Sequence, residues 1–148
     1  MQIERQGSVA LLRMNAGKAN AINERWIARM GGLLDELLAA PPRALVLTGD
    51  ARVFCAGLDL PALIDLSTAE LTAFIRRFSE IMLRIFGLPW PVIAAVNGPA
   101  VAGGCVLALQ ADRRLMASGE GPRIGLNEAL AIDERFASPG ARRSGAAR

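Results

Sequence analysis

Val92-Ile93-Ala94-Ala95-Val96-Asn97-Gly98-Pro99, running on into Ala100-Val101-Ala102-Gly103-Gly104-Cys105, is the stretch that decides how this chain folds. Five apolar residues closed by Asn-Gly-Pro read as a buried strand ending in a turn. Gly103-Gly104 then opens an apolar helix that runs to about Ala111. A strand feeding a helix through small residues is the repeating unit of a parallel α/β sheet.

The same grammar extends outward. Ala44-Leu45-Val46-Leu47-Thr48 is a second short apolar run, as in a strand covered on both faces. Before it, a helix starts near Asn23, a good N-cap, and stops at Pro41-Pro42. Its apolar face is Trp26, Ile27, Met30, Leu33, Leu34, Leu37 and Leu38, at three- and four-residue spacing. Between the two strands a longer helix fits about Ala69–Phe86, with Leu71, Phe74, Ile75, Phe78, Ile81, Met82 and Ile85 on one stripe. Ile3–Gln6 and Val9–Met14 read as strands joined near Gly7-Ser8. Leu115-Met116-Ala117 reads as one more strand, and Arg123-Ile124-Gly125 as an extended piece. The class is α/β, a mainly parallel sheet layered with helices, in one domain over residues 1–133.

Composition narrows the chemistry. Hydrophobic residues make up 52% of the 148, but aromatics only 5% with no Tyr, so the core is Ala, Leu, Ile and Val. The net charge of +3 lies wholly in 134–148, where four arginines face Glu134. The folded part is neutral, which argues against a nucleic-acid surface. There is no His and only Cys55 and Cys105, so no zinc spacing can be built. Ser-His-Asp and Cys-His nucleophilic machinery is excluded with it. Acid–base work falls on carboxylates or water. The charged start Met1-Gln2-Ile3-Glu4-Arg5 does not read as a signal peptide, and no run reaches the roughly 18 apolar residues of a membrane span. A cytoplasmic protein is the expectation.

Two segments place small residues where a backbone must come close to something. They are Cys55-Ala56-Gly57-Leu58 and Ala102-Gly103-Gly104-Cys105. Exposed N–H groups aimed at one spot would stabilise an oxyanion or enolate; tight turns would use the same glycines. Gly98 to Gly103 has the outer spacing of a phosphate loop, but Gly104 and Cys105 stand where Lys and Ser/Thr are needed. Asp112, at the end of the glycine-started helix, reads as structural. Glu128 follows Ile124-Gly125-Leu126-Asn127, an apolar and small segment. There a carboxylate becomes a better base, though a solvated loop or helix-cap Glu fits the same string.

Val92–Gly98 with Ala102–Cys105, and Phe54-Cys55-Ala56-Gly57-Leu58-Asp59-Leu60 before them, resemble the enoyl-CoA hydratase/isomerase (crotonase) superfamily over about residues 3–133. The resemblance implies a crotonase (ClpP-like) fold and an acyl-CoA thioester substrate. Coenzyme A is then part of the substrate, with no separate cofactor and no metal. It implies that the thioester oxygen sits between the Leu58 and Gly103 N–H groups. It also implies that CoA lies against Lys18, Ala19, Ala56, Gly57, Leu58, Asp59, Gly103 and Gly104. Hydratases of the family use two glutamates. The first falls at Val106 here and is missing, and the second falls at Glu128. A single glutamate at that place is similar to 3,2-enoyl-CoA isomerases of mitochondrial type. Isomerisation is therefore the expected activity, with hydration or another crotonase-family reaction as the alternative. Family members run longer, and their C-terminal region closes the acyl pocket and builds a homotrimer. The Arg/Ala/Gly/Ser string over 134–148 has no period and is expected to be a disordered tail. It reads as a truncation or frameshift, which leaves an inactive fragment that binds CoA as a further alternative.

Overall fold

The structure is a computed structural model that describes residues 1–50, 52–119 and 121–126. The expected tail over 134–148 and Glu128 lie outside them. Strands β1 (Gln2–Gln6) and β2 (Val9–Arg13) form a hairpin, followed by a 3-10 turn at Lys18–Asn20. Then come α1 (Glu24–Ala39), β3 (Ala44–Thr48), α2 (Leu60–Leu63), α3 (Thr68–Phe86), β4 (Val92–Val96), β5 (Ala100–Val101), α4 (Gly103–Leu109), β6 (Arg113–Met116) and β7 (Ile124–Gly125). The main sheet has the order β1-β2-β3-β4-β6, and every pair after the hairpin is parallel. A two-stranded parallel sheet pairs β5 with β7. The mainly parallel α/β architecture expected from the sequence is therefore present.

Register aligns the buried rows. Ala10 faces Leu45 and Leu45 faces Val92; Leu12 faces Leu47 and Leu47 faces Ala94. All six are buried and join one core with Trp26, Met30, Leu34 and Phe74 from the helices. The expectation that β3 is covered on both faces is not met. Ala44 and Val46 are half-buried, because a period of two gives each face its own neighbours and only one face meets the helices. The edge strand β6 is exposed along its length.

The helices start where their caps dictate. Asn23 Oδ1 accepts from the Trp26 N–H at 3.0 Å, closing the N-terminus of α1. Leu38, expected on the buried face, is 48% exposed, since it lies a hundred degrees round from Leu37. Helix α3 begins at Thr68, one residue before the expected start, because Ser67 and Glu70 form a reciprocal capping box. Leu71 and Ile75 of its expected stripe are more than a third exposed; Phe74, Ile81, Met82 and Ile85 carry the packing. Helix α4 ends at Leu109 rather than near Ala111. Asp112 has the structural role expected of it: its Oδ2 accepts from the Val92 N–H at 2.7 Å and ties the start of β4 to the end of α4.

The loops after β3 and β4 leave the carboxyl ends of neighbouring parallel strands, where α/β sheets place their sites. They are knitted tightly. Thr48 Oγ1 donates to the Ala95 carbonyl at 2.9 Å, and the Gly49 N–H donates to Asn97 Oδ1 at 3.0 Å. A Cβ on Gly98 would lie 1.8 Å from the Arg52 carbonyl oxygen, so the two loops touch backbone to backbone.

Candidate active site

The loop 53–59 is threaded between two others. On one side the Cys55 N–H donates to Pro99 O and the Val101 N–H to Cys55 O, both at 3.1 Å. On the other, the Ala56 N–H donates to Ala19 O at 3.0 Å. Gly57, at φ +88°, then turns the chain. Its carbonyl accepts from the Ile22 N–H at 2.7 Å, and the Asp59 N–H donates to Ile22 O at 2.9 Å. A trans peptide sends its C=O and N–H in opposite directions. With the Gly57 carbonyl turned to Ile22, the Leu58 N–H points away from Ile22.

The second segment makes the same kind of turn. Ala102 sits at φ 51°, ψ −124°, a conformation rarely taken by a residue with a Cβ. Its N–H donates to Gly125 O at 3.0 Å, and its carbonyl accepts from the Val106 N–H inside α4. By the same planarity, the Gly103 N–H points out of the helix. Among the described residues, neither the Leu58 nor the Gly103 N–H donates to a backbone carbonyl. The two peptides are close: a Cβ on Gly57 would be 2.9 Å from the Gly103 nitrogen, and one on Gly103 would be 3.4 Å from the Gly57 Cα. Gly104 is there for a different reason, since its Cβ would lie 2.1 Å from Cys55 O. The expected pair of small-residue segments therefore meets in space.

In front of Leu58 lies a cavity of about 410 Å³, lined by Gly17, Ala19, Ala21, Ala56, Leu58 and Asp59 among others. Gly103, close to Gly57, does not line it. A neighbouring cavity of about 630 Å³ shares Gly17 and Ala19 and adds Asn20, Asp50 and Arg52. Lys18 opens the 3-10 turn Lys18–Asn20. Ala19, Ala56, Leu58 and Asp59 thus come to one wall. Glu128 lies outside the described residues, but β7 holds Gly125, three residues earlier in the chain, against Ala102. Val106 is half-buried on α4 and packs on the core.

Two residues were overlooked in the sequence. Asn20 is 3% exposed and left-handed, at φ 53°. Its Oδ1 accepts from the Ala16 N–H at 2.8 Å, and its Nδ2 donates to Phe54 O at 3.1 Å. It buckles the loop before α1 to the loop after β3. An Asn next to small residues, able to take a left-handed turn, was the available signal. Arg52 brings a cation to the second cavity; its place two residues before Phe54 was the clue.

Cys55 is buried, and its thiol donates to Asn20 O at 3.2 Å. Burial pushes that thiol up to about 11. Cys105 is buried too, and neither cysteine is in a disulfide. With the thiolate the reactive form, Cys55 is roughly one part in a thousand ionised at pH 8. Native protein treated with iodoacetamide at that pH is expected to keep Cys55 unmodified, read by mass spectrometry, while urea-unfolded protein reacts. Fast labelling of the native chain at Cys55 would contradict the burial. Among the described residues no group of His, Cys, Asp and Glu could hold a metal ion. None of their helices is long and apolar enough to cross a membrane.

The Leu58 and Gly103 peptides thus lie close together at the carboxyl ends of parallel strands on an α/β scaffold, with Leu58 facing a cleft lined by small residues. The sequence pattern of the Enoyl-CoA hydratase/isomerase family matches residues 4–131, and the chain belongs to that family. It is 34% identical over 130 residues to the short-chain-enoyl-CoA hydratase of Clostridium acetobutylicum, covering 84% of this chain and 50% of that one. It is 30% identical over 132 residues to the rat mitochondrial enoyl-CoA delta isomerase 1, covering 86% and 46%. Among solved structures, human mitochondrial delta3-delta2-enoyl-CoA isomerase superposes with a TM-score of 0.82 at 30% identity, covering 87% of this chain and 52% of that one. The Bacillus anthracis enoyl-CoA hydratase superposes at 0.81 with 28% identity, covering 88% and 51%. The fold is that of crotonase enzymes. The chain spans about half the length of the curated relatives it matches.

Proposed function

We propose that this chain carries the acyl-CoA thioester site of an enoyl-CoA isomerase, which moves a double bond from C3 to C2. The observation that carries the reading is the pair of N–H groups at Leu58 and Gly103, close together and without a backbone acceptor among the described residues. The thioester oxygen accepts from both. Charge that develops on it when a C2 proton leaves is met by fixed dipoles, and removing one such donor typically costs about 10²–10³ in rate. Glu128 takes the C2 proton, the electrons spread from C2 over the thioester and the former C3–C4 double bond, and the same carboxyl returns a proton at C4. One base on one face suffices for a proton that leaves and comes back.

Val106 favours isomerisation over hydration. An apolar side chain stands where the resemblance puts the hydratase's first glutamate, and a valine cannot activate water. The CoA part lies along Lys18, Ala19 and Ala56–Asp59, with Arg52 as a cation for a phosphate. Hydration is the second reading, supported by the 34% identity to the Clostridium enzyme.

The test is incubation of the protein with a 3-enoyl-CoA, reading conjugated 2-enoyl-CoA by its absorbance, beside Glu128→Gln. Turnover that depends on Glu128 is expected. Absence of product, or a Glu128→Gln protein equal to the unaltered one, would defeat the isomerase reading. Formation of 3-hydroxyacyl-CoA from 2-enoyl-CoA would move it to hydration.

A further inference from the structure

Asn23 spends both ends of its carboxamide. Its Oδ1 takes the Trp26 N–H at 3.0 Å as the N-cap of α1, and its Nδ2 donates to Asp59 Oδ2 at 3.0 Å. The two partners fix which end is which, because only oxygen can accept from an N–H and only nitrogen can donate to a carboxylate. Capping alone does not call for Asn. Ser and Asp cap about as well, but Asp has no donor and Ser has no second arm. The bond to Asp59 is what a carboxamide adds.

Asp59 is unusual in the complementary way. It occupies the N-cap position of α2, where an aspartate ordinarily accepts from the first-turn N–H groups. Here its side chain makes no such bond, and its backbone is at φ −77°, ψ 78°, away from the extended N-cap geometry. Its carboxylate is turned back to Asn23 instead. Together with Ile22 N–H to Gly57 O and Asp59 N–H to Ile22 O, this makes a third tie between residues 22–23 and 57–59. Leu58 is the residue held between the ties. A hydrogen bond to a carboxylate is among the stronger kinds, and this one is part-buried.

We infer that Asn23 is a positioning residue of the thioester site: through Asp59 it holds the Leu58 N–H in the direction shared with Gly103. The inference rests on the reading of those two amides as the thioester's donors. Without the Nδ2 donor, the Asp59 carboxylate is free to swing onto α2 as an ordinary cap. That swing takes the ψ of Asp59 from 78° toward the extended range and removes the side-chain tie that holds residues 57–59 against residues 22–23, leaving the Leu58 peptide less firmly held.

The experiment uses the whole chain with hexanoyl-CoA, a saturated thioester that cannot react, isotope-labelled at its carbonyl. Isotope-edited infrared spectra read the polarisation of that carbonyl, and calorimetry reads affinity. In the unaltered protein the carbonyl band moves to lower frequency on binding. Asn23→Ser keeps a cap for Trp26 and removes the donor. It is expected to melt near the parent, to bind within about threefold, and to lose at least about half of the band shift, because the lost interaction belongs to the charged oxygen rather than to the ligand as a whole. Isomerase kcat should fall roughly tenfold with KM little changed, a fraction of the 10²–10³ a missing donor costs. Asp59→Ala removes the same bond from the other end without touching the α1 cap, and the double variant should be no worse than either single one.

A full band shift in both single variants would overturn the positioning role while leaving the acyl-CoA reading intact. Affinity and band shift that fall together with the melting point in both variants would also overturn it, since that is a structural effect only. Unaltered protein that binds hexanoyl-CoA without a band shift, or does not bind it, would overturn the reading of the donors and this inference with it.

Discussion

On the proposed reading of the Leu58 and Gly103 amides, Gly57→Ala is expected to lose acyl-CoA turnover by about 10²–10³-fold or more, the cost of one misdirected donor. Two independent faults meet at this position. The backbone is at φ +88°, where an L side chain crowds its own peptide at about 1–2 kcal/mol. The added Cβ also lands 2.8 Å from the Ala102 Cβ, 2.9 Å from the Gly103 nitrogen and 2.9 Å from Val101 O. Two of these three neighbours are backbone, and none is the far end of a flexible side chain. Overpacking of this kind costs typically 1–3 kcal/mol, so the summed loss of stability is roughly 2–5 kcal/mol. Relief comes only by pushing the Gly57 backbone away from that of 101–103, so on the proposed reading function falls further than stability. Gly7→Ala is the control. Gly7 has a φ of +60° and open space around a would-be Cβ, so it carries the conformational fault alone and is far from Leu58. Urea midpoints should fall for both variants, and acyl-CoA turnover only for Gly57→Ala. A Gly57→Ala protein within about tenfold of the parent in kcat/KM would show that the two amides do not act as a pair.

How much of this was legible in the sequence depends on whether a feature is local. β3 and β4 were read with their observed limits, because five-residue apolar runs bounded by turn residues carry their own signal. The cap at Asn23 was read for the same reason. Features set by distant partners were not. β5 is two residues long and exists because β7 pairs with it across more than twenty residues. Helix α2 is one turn of four residues, too short for a period to show, although Pro61 in its first turn was a hint. Asn20 gains its meaning from Val53 and Phe54, more than thirty residues on. The site divides likewise. Leu58 and Gly103 came from a resemblance, and nothing in the residue types alone says which way a peptide points. That direction comes from Gly57 O on Ile22 and Ala102 O on Val106, two bonds visible only in the fold. Ala102, left-handed in φ, gives no sign of it, since residues with a Cβ rarely take such a conformation.

The paired glycines 103 and 104 look alike in sequence, and their alanine variants are expected to part company. A Cβ on Gly104 would stand 2.1 Å from Cys55 O, 2.7 Å from its carbonyl carbon and 2.9 Å from its Cβ. The Cys55 segment cannot retreat, since its N–H is on Pro99 O and its carbonyl on the Val101 N–H. Moving it would break the bridge that joins the loop after β3 to β5. Cys55 is also buried against Asn20, so the disturbance would reach the clasp between that loop and the one before α1. The cost should exceed about 4 kcal/mol, the range reserved for backbone collisions and broken networks. Against a total stability of about 5–15 kcal/mol, that leaves little folded protein. On Gly103 the nearest neighbours of the same Cβ are Gly57 Cα and the Ile22 and Leu58 side-chain tips at 3.4–3.5 Å, ordinary contact distances. Gly103→Ala should therefore fold, within about 1 kcal/mol of the parent, the usual span for a glycine-to-alanine change at an ordinary φ. Circular dichroism melts and soluble yield decide it. A Gly104→Ala chain that melts within a few degrees of the parent would mean that the two loops do not touch as described. A Gly103→Ala chain that fails to fold would mean that both glycines, and not Gly104 alone, are demanded by packing.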